Sequence, residues 1–71
     1  MLTVSEFESL DVGDQVEAAA MFPALSREPV VLATAQRSES GDRREFVVTY
    51  MGITVGRWVC VCKDGVLSWS F

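Results

Sequence analysis

Residues 45–71, EFVVTYMGITVGRWVCVCKDGVLSWSF, contain the pattern that decides the fold of this 71-residue chain. Three apolar runs are separated by segments that contain glycine; they are 45–51, 57–63 and 66–71. In the last run apolar residues alternate with Ser68 and Ser70, which is the period of a strand with one buried face. Asp64-Gly65 precedes this run and favours the positive φ angles of a tight type I′ hairpin turn. The stretch therefore predicts a meander of three antiparallel strands.

The beginning of the chain predicts a short helix. Thr3 and Glu6 have the spacing of a capping box, in which each side chain bonds the other residue's backbone N–H. Val4, Phe7 and Leu10 then recur every third residue and form one apolar stripe. Because two helical turns are marginal on their own, we expect this stripe to dock on a sheet.

Two further strands are predicted before the meander, at 15–21 and 30–37. The loop between them, 22–29, contains two prolines, which lack the donor that a strand ladder needs. The polar segment 38–42 is typical of a hairpin loop, and 52–56 is either a turn or a bulged continuation of a strand. Five short antiparallel strands usually curl into a barrel, because closure removes their edges. We expect one mainly β domain over residues 1–71, a small antiparallel barrel of about five strands with a short N-terminal helix.

Val12-Gly13-Asp14-Gln15-Val16-Glu17 opens the first predicted strand after a turn, and this segment resembles the entry of SH3-like barrels of the Tudor and KOW type. The resemblance covers these six residues and an overall rhythm, a long loop after the first strand and short turns later. It implies an SH3-like barrel. Such barrels recur in RNA-associated proteins, signalling adaptors and tailed-phage particles, so the implied fold fixes no function.

The composition is apolar for so short a chain. Hydrophobic residues make up 49% of it, and the mean hydropathy is +0.24. A domain of this size buries only about 60% of its unfolded surface, so we expect surplus apolar surface to face a protein partner or a second copy. The longest apolar run, 18–25, is far shorter than the roughly 20 residues that cross a bilayer. The first residues lack the positive charge that opens a secretory signal, so we expect a protein without membrane contact, cytoplasmic or assembled into a virion.

The charge distribution disfavours a nucleic-acid partner. The formal net charge is −4, yet residues 1–20 contain five acidic and no basic residues. The remaining 51 residues contain all six basic residues against five acidic ones. Nucleic-acid-binding domains usually carry a basic excess or a basic stripe, and neither is present here.

The residues that usually support catalysis are sparse. Histidine is absent, which excludes Ser-His and Cys-His nucleophiles. Cys60 and Cys62 point to the same face of a predicted strand, but they supply only two of the four ligands of a structural zinc. Neighbouring same-face positions also suit a disulfide poorly. We therefore expect two reduced, buried core cysteines, no metal or cofactor, and no enzymatic activity.

Arginines supply the best candidate contact patch. Arg37, Arg43 and Arg44 flank the predicted hairpin loop, and Arg57 lies on a later strand. Arginine binds phosphate and carboxylate groups through two parallel hydrogen bonds. The alternative, which we favour because exposed ion pairs of this kind are common, is local pairing of these arginines with nearby carboxylates, those of Glu39, Asp42 and Glu45.

The proline-held loop supplies a second candidate. Met21, Phe22 and Leu25 are either a plug for one end of the barrel or an anchor for a pocket in a partner. The strand at 57–63 is apolar on both faces and needs cover on both, from the N-terminal helix or from another subunit.

These patterns favour a non-catalytic structural or protein-interaction subunit of a larger assembly, for example a small phage-particle component. The alternative is a small module that binds RNA or an acidic peptide through the arginine-rich hairpin and exposed aromatic residues.

Overall fold

A computed structural model describes residues 3–20, 22–25 and 27–71. Its elements are α1 (Val4–Ser9), β1 (Gln15–Glu17), two 3₁₀ turns (Ala18–Ala20 and Pro23–Leu25), β2 (Val30–Arg37), β3 (Arg43–Tyr50), β4 (Ile53–Lys63) and β5 (Val66–Ser70). The strands form one sheet in chain order, each antiparallel to its neighbours. The predicted mainly β class with a short N-terminal helix is confirmed. The sheet is open, however, since β1 pairs with β2 alone and β5 with β4 alone among the described strands.

Helix α1 begins where the capping box predicts. The hydroxyl of Thr3 accepts from the backbone N–H of Glu6 at 3.1 Å, and the Glu6 carboxylate accepts from the backbone N–H of Thr3 at 3.4 Å. Phe7, in the middle of the predicted stripe, is fully buried. The stripe thus docks on the sheet, and that docking holds a helix of only six residues.

The first strand is shorter than predicted. β1 ends at Glu17, and the alanines that follow form a 3₁₀ turn instead of continuing to Met21, which lies outside the described residues. Alanine has a low preference for strands, and Ala18 is buried as part of the core. β2 has the predicted bounds, 30–37, and the loop at 38–42 follows it.

Both hairpin turns of the meander have two residues with positive φ. Asp64 and Gly65 have φ angles of 53° and 74°, as predicted for a type I′ turn. Met51 and Gly52 have φ angles of 51° and 81°. The segment 52–56 is therefore a turn followed by a bulged strand, since a register shift leaves Val55 without a partner on β3.

The core lies on one face of the sheet. Its fully buried apolar residues come from α1, the first 3₁₀ turn and three strands; they are Phe7, Ala18, Leu32, Phe46, Val48 and Cys60. Phe22 and Leu25 of the loop pack against this cluster. The helix and the loop thus cover the same face. Val59 and Val61 lie on the opposite face of β4 and are half-buried. No helix in the described residues is long and apolar enough to cross a membrane.

Candidate interaction surfaces

Arg44 lies inside the protein. Along β3 it shares the buried face with Phe46 and Val48, and only 1% of it is exposed. Its guanidinium donates to the carbonyl of Glu8 at 2.9 Å and to the carbonyl of Leu10. The last carbonyls of a helix lack partners within the helix, and Arg44 donates to two of them. It therefore fastens α1 to the sheet.

The surroundings of Arg44 agree with this structural role. The guanidinium carbon lies 4.9 Å from the centre of the Phe7 ring, within the range of a cation–π contact. Desolvation by burial lowers the pKa of Arg44 from its usual value. Sequence reasoning grouped Arg44 with the surface arginines. Its position, two residues before Phe46 on the alternating face of β3, was the signal for burial.

The other arginines of the predicted patch do not form one cluster. Arg37 lies 3.5 Å from the carboxylate of Asp11, and both side chains are well exposed. Arg57 donates to the carboxylate of Glu45 at 2.7 Å on the neighbouring strand. The side chain of Arg43 is exposed at the start of β3. Two of the four arginines are thus engaged in local ion pairs.

The loop at 38–42 is held by hydrogen bonds among its own polar residues. The hydroxyls of Ser40 and Ser38 donate to the Asp42 carboxylate at 2.5 and 2.8 Å and lower the pKa of Asp42. The backbone N–H of Arg43 donates to the hydroxyl of Ser38 at 3.2 Å. The carboxylate of Asp42 therefore stabilises the turn, whereas the side chain of Glu39 is exposed.

A cavity of about 210 Å³ lies between this loop and α1. Arg37 and Arg44 contribute positive charge to its lining, and Glu8 and Asp42 contribute negative charge. The Nε atom of Arg44 is buried without a hydrogen-bond partner. The lining therefore offers hydrogen-bond donors, but its two acidic groups oppose the binding of an anion.

The two cysteines are free thiols. Cys60 is fully buried, as predicted, and Cys62 is half-buried. Burial, reinforced by the neighbouring Cys62, raises the pKa of Cys60 to about 11. A thiol that keeps its proton at neutral pH is a poor nucleophile and a poor metal ligand. In the described part of the chain, no three His, Cys, Asp or Glu residues are grouped as they would be around a metal ion.

Aromatic residues from the loop and from three strands form one cluster. The Phe22 ring lies 5.2 Å from Trp58 and 5.3 Å from Trp69, both in edge-on geometry. Trp69 also lies 5.5 Å from Phe46, and Phe71 lies 5.0 Å from Trp58. Phe22 and Leu25 of the loop are partly buried and pack against the core of their own sheet.

The turn between β3 and β4 exposes large apolar side chains. Met51, Ile53 and Val55 are 70%, 68% and 61% exposed, and Tyr50 is 39% exposed. We call these four residues the apolar hairpin tip. Residues 50–56 contain no charged side chain, which was the sequence signal for this surface and was missed. Apolar residues scattered singly on a surface are normal, whereas here four lie within six positions of one turn.

The hairpin tip is held by the loop before β2. The backbone N–H of Met51 donates to the carbonyl of Pro29 at 3.3 Å. Interaction with the carboxylate of Glu28 raises the pKa of Tyr50. These contacts fix the tip at one end of the sheet and leave its apolar side chains exposed.

Next to the tip, β4 has an open edge. β5 pairs with β4 only from Val59 to Lys63. Apart from the bulged Val55, residues 53–57 pair with β3 on one side, and no described strand pairs with them on the other. We call residues 53–57 the open edge. Unpaired backbone groups along an exposed apolar edge are a template for pairing with another strand.

Comparison of the chain with protein-family models, with curated proteins and with solved structures found no match.

Proposed function

We propose that the protein is a non-catalytic interaction subunit that binds a protein partner through the apolar hairpin tip. The observation that carries this proposal is the exposure of Met51, Ile53 and Val55 on a turn that the rest of the chain holds in place. Fully covering an aliphatic side chain of this size contributes about 1.5–3 kcal/mol. Covering the exposed parts of three such side chains therefore offsets part of the cost of association.

The side chains that could take part in catalysis have structural explanations, which agrees with this proposal. The buried Cys60 thiol holds its proton, and the sequence contains no histidine. The acidic side chains of Glu6 and Asp42 are engaged in capping and turn hydrogen bonds. A place in a larger assembly, such as a phage particle or a cytoplasmic complex, is part of the same proposal.

The test is the mass of the purified full chain in solution, measured by light scattering over a range of concentrations. We expect wild type to exceed the 7.8 kDa of one chain, alone or with a partner that co-purifies in fixed stoichiometry. The double substitution Met51→Ser, Ile53→Thr abolishes this association. Val66→Ser is the matched control, because Val66 is 61% exposed but lies at the other turn of the meander. A double variant that associates like wild type contradicts the proposal, as does a strictly monomeric wild type.

A second candidate is the binding of an acidic ligand in the cavity beside the loop at 38–42, where the two arginines would have to outweigh the opposing charges of Glu8 and Asp42. The observation that favours it is the buried Nε of Arg44, which lacks a partner and lies with Arg37 in the lining. Titration with a glutamate-rich peptide and with single-stranded RNA distinguishes the two ligand classes. Arg37→Ala weakens the binding if the cavity is the site. Saturable binding that is insensitive to this change assigns the ligand elsewhere.

A further inference from the structure

We infer that the partner at the open edge is a second copy of this chain, and that two copies pair their β4 strands antiparallel across a two-fold axis. This inference rests on the proposed interaction function and names its partner. It starts from the backbone. β4 has 11 residues, yet β5 covers only the last five, so the backbone groups of the open edge lack a strand partner in the described chain and can pair with an extended strand.

The positions of the exposed apolar residues favour a second copy. Among the described residues, five of the seven large exposed apolar side chains lie at this edge or at its two ends; they are Tyr50, Met51, Ile53, Val55 and Phe71. Phe71 follows β5 and, by extension of the β4–β5 register, lies opposite Trp58 where the open edge begins. A two-fold axis through the middle of the open edge brings the hairpin tip of each copy to the Phe71 of the other. Each apolar end is then covered by the other.

The charges permit this pairing. Arg57 is the one charged residue of the open edge, and Glu45 of the same chain pairs with it at 2.7 Å. In the two-fold arrangement the two copies of Arg57 lie on opposite sides of the axis. Natural edge strands usually avoid self-pairing through unpaired charges or proline. Residues 53–57 contain no proline, and their single charge is already neutralised.

Gly56 leaves open space beside the strand. A Cβ added there would meet nothing within 4 Å, and the φ angle of Gly56 is not in the left-handed region. Gly56 follows the bulge at Val55, a place where glycine is common in strands. A side chain introduced at Gly56 therefore fits the fold and can report the approach of a second strand.

Cysteine cross-linking tests the register. Residues 53–57 are centred on Val55, and Val55 is the bulged residue, so the axis passes beside Val55 or Gly56. Directly opposite residues of antiparallel strands have Cα atoms about 4.5–5.5 Å apart, which suits a disulfide. We expect Val55→Cys or Gly56→Cys to form a covalent dimer under mild oxidation. Val66→Cys is the control, because Val66 is as exposed as Val55, and we expect it to form no covalent dimer. Wild type under the same oxidation shows whether Cys60 or Cys62 contributes any cross-link.

Matched lysine variants test the energetics without relying on a disulfide. Val55 and Val66 are both 61% exposed, so Val55→Lys and Val66→Lys change charge and exposed apolar surface alike. We expect wild type and Val66→Lys to have the mass of two chains, and Val55→Lys to have the mass of one. Circular dichroism checks that both variants keep the fold.

The outcomes separate this inference from the proposed function. A wild type that forms a fixed complex only with a different protein overturns the second copy and leaves the interaction role intact. Strand pairing at this edge is also overturned if the wild type is a dimer, neither introduced cysteine cross-links it, and Val55→Lys leaves it intact. Open-ended polymers overturn it as well, since a two-fold contact closes on itself. A monomeric wild type without any partner overturns both proposals.

Discussion

The two ends of the β3–β4 hairpin differ in which side chains are buried: one end buries a charged side chain, and the other exposes apolar ones. Near the start of β3, Arg44 is 1% exposed, while at the turn Met51 and Ile53 are 70% and 68% exposed. The difference follows from what each end meets. Arg44 donates to the carbonyls of Glu8 and Leu10 and packs on the ring of Phe7. The apolar side chains at the turn are exposed and are not covered by α1. Burial here is decided by the partners that the fold supplies.

The energetics of the two ends are also opposite. Moving a guanidinium out of water is costly, and charge-assisted hydrogen bonds to otherwise unpaired carbonyls offset that cost. The exposed apolar side chains at the turn do not contribute the free energy of apolar burial, about 25 cal/mol per Å². A partner that covers the turn therefore recovers free energy that folding leaves unused. The end beside α1 serves folding, and the turn is free to serve association.

The largest expected effect is the loss of Arg44. Arg44→Ala removes two charge-assisted hydrogen bonds, to the carbonyls of Glu8 and Leu10, worth about 1.5–3 kcal/mol each, and the contact with Phe7. We expect a loss of about 4 kcal/mol in the free energy of unfolding, measured with urea. Arg43→Ala, at the neighbouring exposed position, changes it by less than about 0.5 kcal/mol. Equal losses in the two variants would show that α1 is not held by Arg44.

The second effect is the loss of Trp69 from the aromatic cluster. Trp69 contacts Phe22 and Phe46 but is only half-buried, so we expect Trp69→Ala to cost about 3 kcal/mol, the lower end for a buried aromatic residue. Thermal melting monitored by circular dichroism measures this. Phe71→Ala is the control, since Phe71 is 80% exposed, and its melting temperature stays near that of wild type at low concentration. A Trp69→Ala protein that melts like wild type would remove β5 from the core.

Much of this architecture could be predicted because its signals are local. The capping box at Thr3, the bounds of β2 and the Asp64-Gly65 turn depend on neighbouring residues, and all three were correct. Barrel closure is not local. It requires β1 to meet β5, and the structure ends β1 at Glu17, too short to pair beyond β2.

The candidate site was harder to predict than the fold. Proximity to the loop at 38–42 suggested that Arg44 was exposed, while the alternation with Phe46 and Val48 pointed inward, and the alternation was the better guide. The apolar hairpin tip was missed because a run such as 50–55 also occurs in buried strands. Only the placement of the helix and of β5 shows which apolar residues remain uncovered.

Alkaline pH tests the core between the two ends of the hairpin. The pKa of Cys60 rises from 9.0 to about 11 on folding, so the folded chain keeps a proton that the unfolded chain releases. This contribution to stability is present below pH 9.0 and is lost as the pH rises towards 11. We expect the free energy of unfolding to fall more steeply over that window in wild type than in Cys60→Ala. Identical slopes would mean that Cys60 is not buried as a neutral thiol.

The smallest expected effect is at the exposed end of the hairpin. Ile53→Thr keeps a β-branched residue in the strand, and Ile53 is 68% exposed, so we expect the free energy of unfolding of the dilute monomer to change by less than about 0.5 kcal/mol. Val48→Thr is the comparison on the same hairpin. Val48 is 2% exposed, and burying its new hydroxyl costs about 1–3 kcal/mol. Urea unfolding below the association range measures both variants. A loss at Ile53 as large as that at Val48 would mean that the turn is already part of the folded core, and it would then have no free apolar surface to offer a partner.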